Sequence, residues 1–280
     1  MSQLQTKPPP DVRVEAGYMF PVEQLTVTEE QQRRLHGYCD IPPERYGPYV
    51  DPTFLARRPI PINTDSIAAC HPTYAKIHTV HRIRMAEPVK LGDTVTRTGG
   101  FTAVTEVPRG WIAHSRWSFC RAGGTEVMTV EPQLLMGDPG KTPSEKSTTK
   151  PAKPAKGTEP PPDKYQAVLH KQCTPESTLG YCEGSTNLIH LDPDYAKSFG
   201  FRAPIIAGNQ TVNFLLEALA LDGIPAALDV EIRFLRPVFW DDAVVVRERR
   251  DGRGAIDEVE AVDRTGRRLA VCAVDRVAYL

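Results

Sequence analysis

Two short motifs occur twice in this chain, in the same order and about half the chain apart. Gly-Tyr-Cys-Asp at 37–40 is matched by Gly-Tyr-Cys-Glu at 180–183. Glu-Pro-Val-Lys-Leu-Gly-Asp at 87–93 is matched by Arg-Pro-Val-Phe-Trp-Asp-Asp at 236–242. One short match arises easily by chance, but two in the same order favour an internal duplication. We therefore expect two halves that share one fold.

Residues 138–164 differ in composition from the rest of the chain. Pro, Lys, Thr and Ser dominate this stretch, and it contains almost no large apolar side chains. Such a segment cannot bury enough surface to offset the entropy lost on ordering, so we expect an extended or disordered linker. The predicted division is a first half at 1–137, the linker at 138–164 and a second half at 165–280.

Each half ends in a series of predicted strands. In the second half, apolar and polar residues alternate over 230–234, and further strands are expected at 243–246, 256–262 and 269–279. The first half repeats this antiparallel series at 77–85, 93–107, 111–121 and 125–135. A helix is predicted at 209–221, apolar nearly all round, which suits a helix wrapped by a sheet. The expected fold class is α+β, with curved antiparallel sheets that each wrap a helix, the hotdog arrangement.

Composition and motif searches exclude several classes of protein. The net charge of −1 offers no broad field for nucleic acid or an anionic membrane. No run approaches roughly 18 apolar residues, so no membrane span is expected, and a cytoplasmic location is predicted. The six cysteines are interpreted as reduced thiols. Phosphate-binding glycine motifs are absent and the histidines at 71, 78 and 81 do not share one strand face, so we expect neither cofactor nor metal.

The most informative stretch is residues 181–208. It contains Glu-Gly-Ser-Thr-Asn-Leu-Ile-His, then Asp-Pro-Asp-Tyr-Ala, then Gly-Phe-Arg-Ala-Pro-Ile-Ile-Ala-Gly. This resembles the signature of the MaoC-like (R)-specific enoyl-CoA hydratases and dehydratases, in which G-D-x-N-P-[IL]-H precedes D-P-x-x-A and G-F-x-x-P-I-x-x-G. The resemblance implies a double hotdog whose substrate is a 2-enoyl or 3-hydroxyacyl thioester of coenzyme A or of acyl carrier protein. The first half has no comparable signature.

The resemblance assigns roles to four positions of the second half. His190 falls on the catalytic histidine of the family and Asn187 on its asparagine. Gly208 falls on the glycine whose N–H binds the thioester oxygen, at the positive end of the predicted helix. Ser185 stands where the family has its catalytic aspartate. One of the two usual acid/base groups is therefore replaced by a hydroxyl.

Three interpretations follow from Ser185. His190 acts alone while Ser185 and Asn187 hold the water, or Glu183 supplies a displaced carboxylate, or the chain is a catalytically silent acyl-binding or scaffold subunit. A hydro-lyase is the preferred interpretation. A thioesterase would need a carboxylate on the central helix, where Glu217 is the only acid well inside and lies more than about two turns beyond Gly208.

Four further residues are candidates for substrate binding. A guanidinium suits bidentate contact with the phosphates of coenzyme A, which makes candidates of Arg202, Arg233 and Arg236. Asn209 would either contact substrate or cap the helix, and we favour the cap. The sequence does not decide whether two chains pair as a homodimer.

Overall fold

The computed structural model describes residues 11–138 and 164–280, and ten strands in these two ranges form a single antiparallel sheet. The first-half strands are β1 (Glu23–Thr26), β2 (Ala75–Met85), β3 (Thr94–Val107), β4 (Gly110–Cys120) and β5 (Glu126–Gly137). Those of the second half are β6 (Gln166–Gln172), β7 (Pro225–Phe234), β8 (Ala243–Arg250), β9 (Ile256–Val262) and β10 (Arg268–Tyr279).

The order of the strands shows the duplication directly. The sheet runs β1-β3-β4-β5-β2-β7-β10-β9-β8-β6, so the second half repeats the first in mirrored order. The halves meet where β2 pairs with β7, with Ile83 opposite Val230. Both residues are fully buried, so the hydrophobic core continues across the junction.

Within residues 11–138 and 164–280, six α-helices accompany the sheet. They are α1 (Glu29–Gly37), α2 (Pro52–Ala56), α3 (Pro59–Cys70), α4 (Pro175–Tyr181), α5 (Pro193–Ser198) and α6 (Gly208–Leu219). Every residue of α6 from Asn209 to Leu219 is buried, and the helix packs against β8 and β9. In the first half, α3 packs against β5. The predicted α+β double hotdog is confirmed.

The predicted elements agree with the structure in kind and differ in extent. The strand expected at 256–262 has those bounds, whereas β7 begins five residues before its predicted start. The edge strands β1 and β6 and the helix α3 were not predicted. The expected linker, residues 138–164, lies almost wholly outside the described residues, so the division into 1–137, 138–164 and 165–280 stays a prediction.

Two further expectations concern the chain as a whole. The six cysteines are free thiols, and four of them are buried. In the two described ranges, no helix has the length and apolar character needed to cross a membrane.

Candidate active site

The loop after α4 carries the predicted reactive residues. Gly184 has φ +79°, a left-handed conformation that glycine adopts without strain, and it turns the chain after Glu183. The hydroxyl of Ser185 then accepts a hydrogen bond from the Asn187 N–H at 3.2 Å. A short 3-10 helix, Leu188–His190, completes the loop. Ser185 therefore shapes the turn that presents Asn187 and His190.

His190 is held by one hydrogen bond at each ring nitrogen. Its Nδ1 lies 2.9 Å from the carbonyl oxygen of Ile205, and its Nε2 lies 3.3 Å from Asn187 Nδ2. Because a carbonyl only accepts, Nδ1 carries the proton and Nε2 presents its lone pair. Burial lowers the pKa of His190 below its ordinary value, against the opposing effect of the Ile205 hydrogen bond. The ring is therefore neutral at pH 7, and its Nε2 accepts from the Asn187 amide, a hydrogen bond that must be displaced before Nε2 takes a proton from another donor.

The N-terminus of α6 supplies hydrogen-bond donors. The helix begins at Gly208, and its N-cap, Ala207, provides no side-chain hydrogen bond. Among the described residues, the N–H groups of Gly208 and Asn209 have no hydrogen-bond partner. Unpaired N–H groups at a helix N-terminus favour a negatively charged oxygen. The role of Gly208 as an oxyanion donor stays a prediction.

Asn209 is a buried part of this site and does not cap the helix. It is the second residue of α6, whereas the N-cap position belongs to Ala207, so the cap interpretation is wrong. Its side chain is 4% exposed, and its Oδ1 has no hydrogen-bond partner in the described structure. A buried, unpaired amide oxygen is costly unless a ligand or water meets it.

A cavity of about 70 Å³ joins these residues to the first half. The second half lines it mainly with the 181–190 loop and the start of α6, including the predicted residues Glu183, Ser185, Asn187, His190 and Asn209. The first half contributes the junction of α2 with α3 and one face of α3, through Arg57, Ile60, Pro61 and Thr64. These four residues were not predicted, because the first half lacks the signature.

The carboxylates near the loop have other partners than His190. Glu183 forms an ion pair with Arg34 of α1, and its side chain is 64% exposed. Asp65 of α3 accepts a hydrogen bond from the Thr186 hydroxyl, and burial raises the pKa of Asp65 above its ordinary value. In the part of the chain that the structure describes, no carboxylate hydrogen-bonds or ion-pairs with His190. The role predicted for Glu183 therefore stays a prediction.

The three predicted phosphate-binding arginines lie outside the cavity lining. Arg202 forms an ion pair with Asp241 at 2.7 Å, and Arg233 pairs with a glutamate two residues earlier at 2.7 Å. Arg236 donates to a backbone carbonyl oxygen. Each arginine thus has an intramolecular partner, and contact with phosphate stays a prediction for all three.

Glu217, the acid that a thioesterase would require, is held away from the cavity. Its carboxylate forms an ion pair with Lys171 at 2.7 Å, and its side chain is 1% exposed. It does not line the cavity that contains His190. The geometry therefore gives Glu217 a structural partner and no access to a thioester bound there.

Comparison with known proteins identifies the second half. The MaoC like domain matches residues 157–270. A relative from Arabidopsis thaliana, enoyl-CoA hydratase 2, peroxisomal, is 29% identical over 102 residues, which are 35% of this chain and 33% of that protein. The chain thus spans about a third of the length of this curated relative.

Solved structures share the fold of the whole chain. HtdX from Mycobacterium tuberculosis has a TM-score of 0.70 at 19% identity, covering 91% of this chain and 98% of its own. An acyl-ACP thioesterase from Bacteroides thetaiotaomicron has a TM-score of 0.56 at 8% identity, covering 91% and 96%. Since similar folds support different functions, the chemistry must be argued from the site. The loop and the helix that follows it lie within the stretch, residues 157–270, that matches the MaoC like domain.

Proposed function

We propose that the chain is a hydratase or dehydratase of 2-enoyl and 3-hydroxyacyl thioesters. The observation that carries the proposal is the neutral His190, which lines one cavity together with Asn209, whose N–H group at the start of α6 has no hydrogen-bond partner among the described residues. A base and an oxyanion donor are two of the groups that this reaction requires. The match to an enoyl-CoA hydratase supports the same reaction class.

The proposed hydration uses His190 for both proton transfers. Nε2 takes a proton from water as the water oxygen bonds to the β-carbon, and the alkene electrons move towards the thioester carbonyl. The N–H of Gly208 stabilises the resulting enolate oxygen, a type of contact that contributes about 3 kcal/mol. The imidazolium then gives its proton to the α-carbon. One water is added in total, and dehydration follows the same steps in reverse.

The first test is turnover of a short 2-enoyl-CoA, followed by the absorbance of its conjugated thioester. We expect wild-type protein to remove this absorbance and His190→Ala to lose at least about 100-fold in kcat, since general base catalysis contributes roughly 100- to 10,000-fold. His170→Ala is a matched control, because His170 is exposed on β6. Equal activity of wild type and His190→Ala would refute the role of His190.

A second candidate function is a catalytically silent acyl-binding subunit. The observation that favours it is Ser185, whose hydroxyl shapes the loop in place of an acid, together with the lack of a carboxylate contact to His190 among the described residues. Saturable binding of acyl-CoA without turnover, over several chain lengths, would select this function over the hydro-lyase.

A further inference from the structure

The wall that the first half contributes to the cavity contains one cation, Arg57. It is the C-cap residue of α2, immediately before α3. One guanidinium NH2 donates to the carbonyl oxygen of Tyr181 at 3.0 Å, and the guanidinium carbon lies 4.4 Å from the centre of the Tyr181 ring. Both contacts reach across to the second half. They hold the charged group in a defined place at the cavity wall.

No carboxylate neutralises this guanidinium within the described ranges. Arg202 and Arg233 have carboxylate partners, and the acid of the cavity wall, Glu183, is paired with Arg34. Arg57 uses one of its N–H groups on Tyr181, whereas a guanidinium offers five. A partly buried cation of this kind favours an anionic ligand that can accept the remaining bonds.

A neutral donor is enough for the equivalent carbonyl oxygen of the first repeat. Tyr38 occupies the position in the first repeat that Tyr181 occupies in the second. Its carbonyl oxygen accepts a hydrogen bond from Gln210 Nε2 at 3.1 Å. Gln210 is the third residue of α6, whereas Arg57 follows α2, so the two donors come from different places in their halves. A tyrosine carbonyl oxygen at this position can thus be satisfied without a positive charge.

The size of the cavity indicates which anion Arg57 meets. About 70 Å³ is small beside the roughly 300–1,000 Å³ of sites for drug-sized ligands, so a group bound at Arg57 lies close to one bound at His190. The phosphates of coenzyme A, or of acyl carrier protein, are separated from the thioester by the whole pantetheine arm. If the thioester lies at His190, the anion at Arg57 must belong to the acyl group.

The remaining lining combines apolar side chains, such as Ile60 and Pro61, with polar ones. Thr64, Ser185 and Asn187 place polar groups in the wall, and the buried amide oxygen of Asn209 is unpaired. A few fixed polar groups in a mainly apolar site orient a ligand that carries polar groups of its own. We infer that Arg57 binds a carboxylate at the far end of a short acyl group, so that the substrates are thioesters of 2-enedioic or 3-hydroxydioic acids. This inference rests on the proposed hydro-lyase function and names its substrate class.

The test compares two acyl groups of equal length, crotonyl-CoA and the CoA monothioester of fumarate, in wild type and Arg57→Gln. Glutamine keeps a donor of the kind that Gln210 uses. We expect wild type to prefer the carboxylate-bearing substrate in kcat/KM by at least about tenfold, and Arg57→Gln to lose this preference mainly through KM. Arg57→Lys should retain part of it, and Arg33→Gln, on the exposed face of α1, should retain all of it.

Pantetheine thioesters of the same two acids distinguish an acyl carboxylate from a phosphate. The preference and its loss in Arg57→Gln should persist in these compounds, which lack the phosphates of coenzyme A. An effect of Arg57→Gln that appears with the CoA thioesters and vanishes with the pantetheine thioesters would assign the anion to the carrier and overturn the inference. An equal loss with both acyl groups would also overturn it.

Binding separates failure of this inference from failure of the hydro-lyase proposal. Succinyl-CoA and butyryl-CoA are saturated and cannot be hydrated, so their dissociation constants do not depend on turnover. Tighter binding of succinyl-CoA, lost in Arg57→Gln, would support the carboxylate site even if no enoyl thioester is converted. Equal binding of the two compounds by wild type would refute the site whatever the result of the turnover assay.

Discussion

At the residue scale, the chemistry depends on which nitrogen of His190 carries the proton. The carbonyl oxygen of Ile205 fixes that proton on Nδ1, and burial keeps the ring neutral. Because burial lowers the pKa of His190, its ring stays unprotonated, and so able to act as a base, at a lower pH than the ring of an exposed histidine.

The pH dependence of kcat/KM follows from this direction of shift. The active form is neutral His190, so activity should persist as the pH falls through 6.5, the ordinary histidine value, and decline only below it. The measurement is a pH profile of kcat/KM with a short 2-enoyl-CoA. An acid limb at or above pH 6.5 would contradict the assignment. His170→Ala is the control, because His170 is exposed on β6 and its replacement should leave the position of this limb unchanged.

The residues of the second-half site were largely predictable and those of the first half were not. His190, Asn187 and Gly208 lie in one continuous motif, and the motif forms one loop and the start of one helix. Arg57 and Asp65 reach the same site from a half without such a motif. Their placement results from the packing of α3 across the junction, which no local pattern encodes.

At the element scale, the sequence predicts one of the two central helices, α6, and does not predict the other, α3. The helix α6 has a nearly continuous apolar composition, so it was predicted. In α3, Asn63, Thr64, Asp65 and Ser66 interrupt the apolar pattern. Asn63 donates from Nδ2 to Ser115 of β4, and Ser66 donates to the Ile62 carbonyl oxygen within the helix, whereas Asn63 Oδ1 has no partner among the described residues. The structure thus stabilises α3 through tertiary contacts that a periodicity search does not detect.

The start of α6 provides a test of close packing. A Cβ added at Gly208 would lie 2.9 Å from His78 Nδ1 and 3.3 Å from Phe234 Cζ, side chains of β2 and β7. Gly208→Ala should therefore displace the first turn of α6, lower the free energy of unfolding by about 1–3 kcal/mol and reduce kcat. Gly252→Ala is the matched control, since nothing lies within 4 Å of its added Cβ. Urea unfolding checks the prediction, and an unchanged midpoint in Gly208→Ala would contradict it.

At the scale of the whole molecule, a buried ion pair ties the second half to the first. Lys171 of β6 is 4% exposed and lies 2.7 Å from Glu217 of α6. Its Nζ also donates to the carbonyl oxygen of Asp40, which belongs to the first half. One cation therefore satisfies a buried carboxylate and a backbone oxygen from opposite sides of the junction.

Removing one partner of this pair should cost more than removing both. Lys171→Met leaves Glu217 buried without a cation, which should lower the free energy of unfolding by roughly 3–5 kcal/mol, whereas Lys171→Met with Glu217→Leu should recover much of this loss. Arg33→Gln, which breaks an exposed pair on α1, should change stability by less than about 1 kcal/mol. Urea unfolding of wild type and the three variants measures how much of the lost stability the second substitution restores. A double variant no more stable than Lys171→Met would contradict the argument.

Tyr181 and Tyr38 are equivalent in the duplication, yet the carbonyl oxygen of Tyr181 accepts from the charged Arg57 and that of Tyr38 from the neutral Gln210. In an assembly of two identical chains, every substitution is made twice, so a residue that improves one site is imposed on the other as well. A single chain with two unequal halves is free of that restriction. Selection can adjust substrate preference in the first half and proton transfer in the second as separate inherited traits.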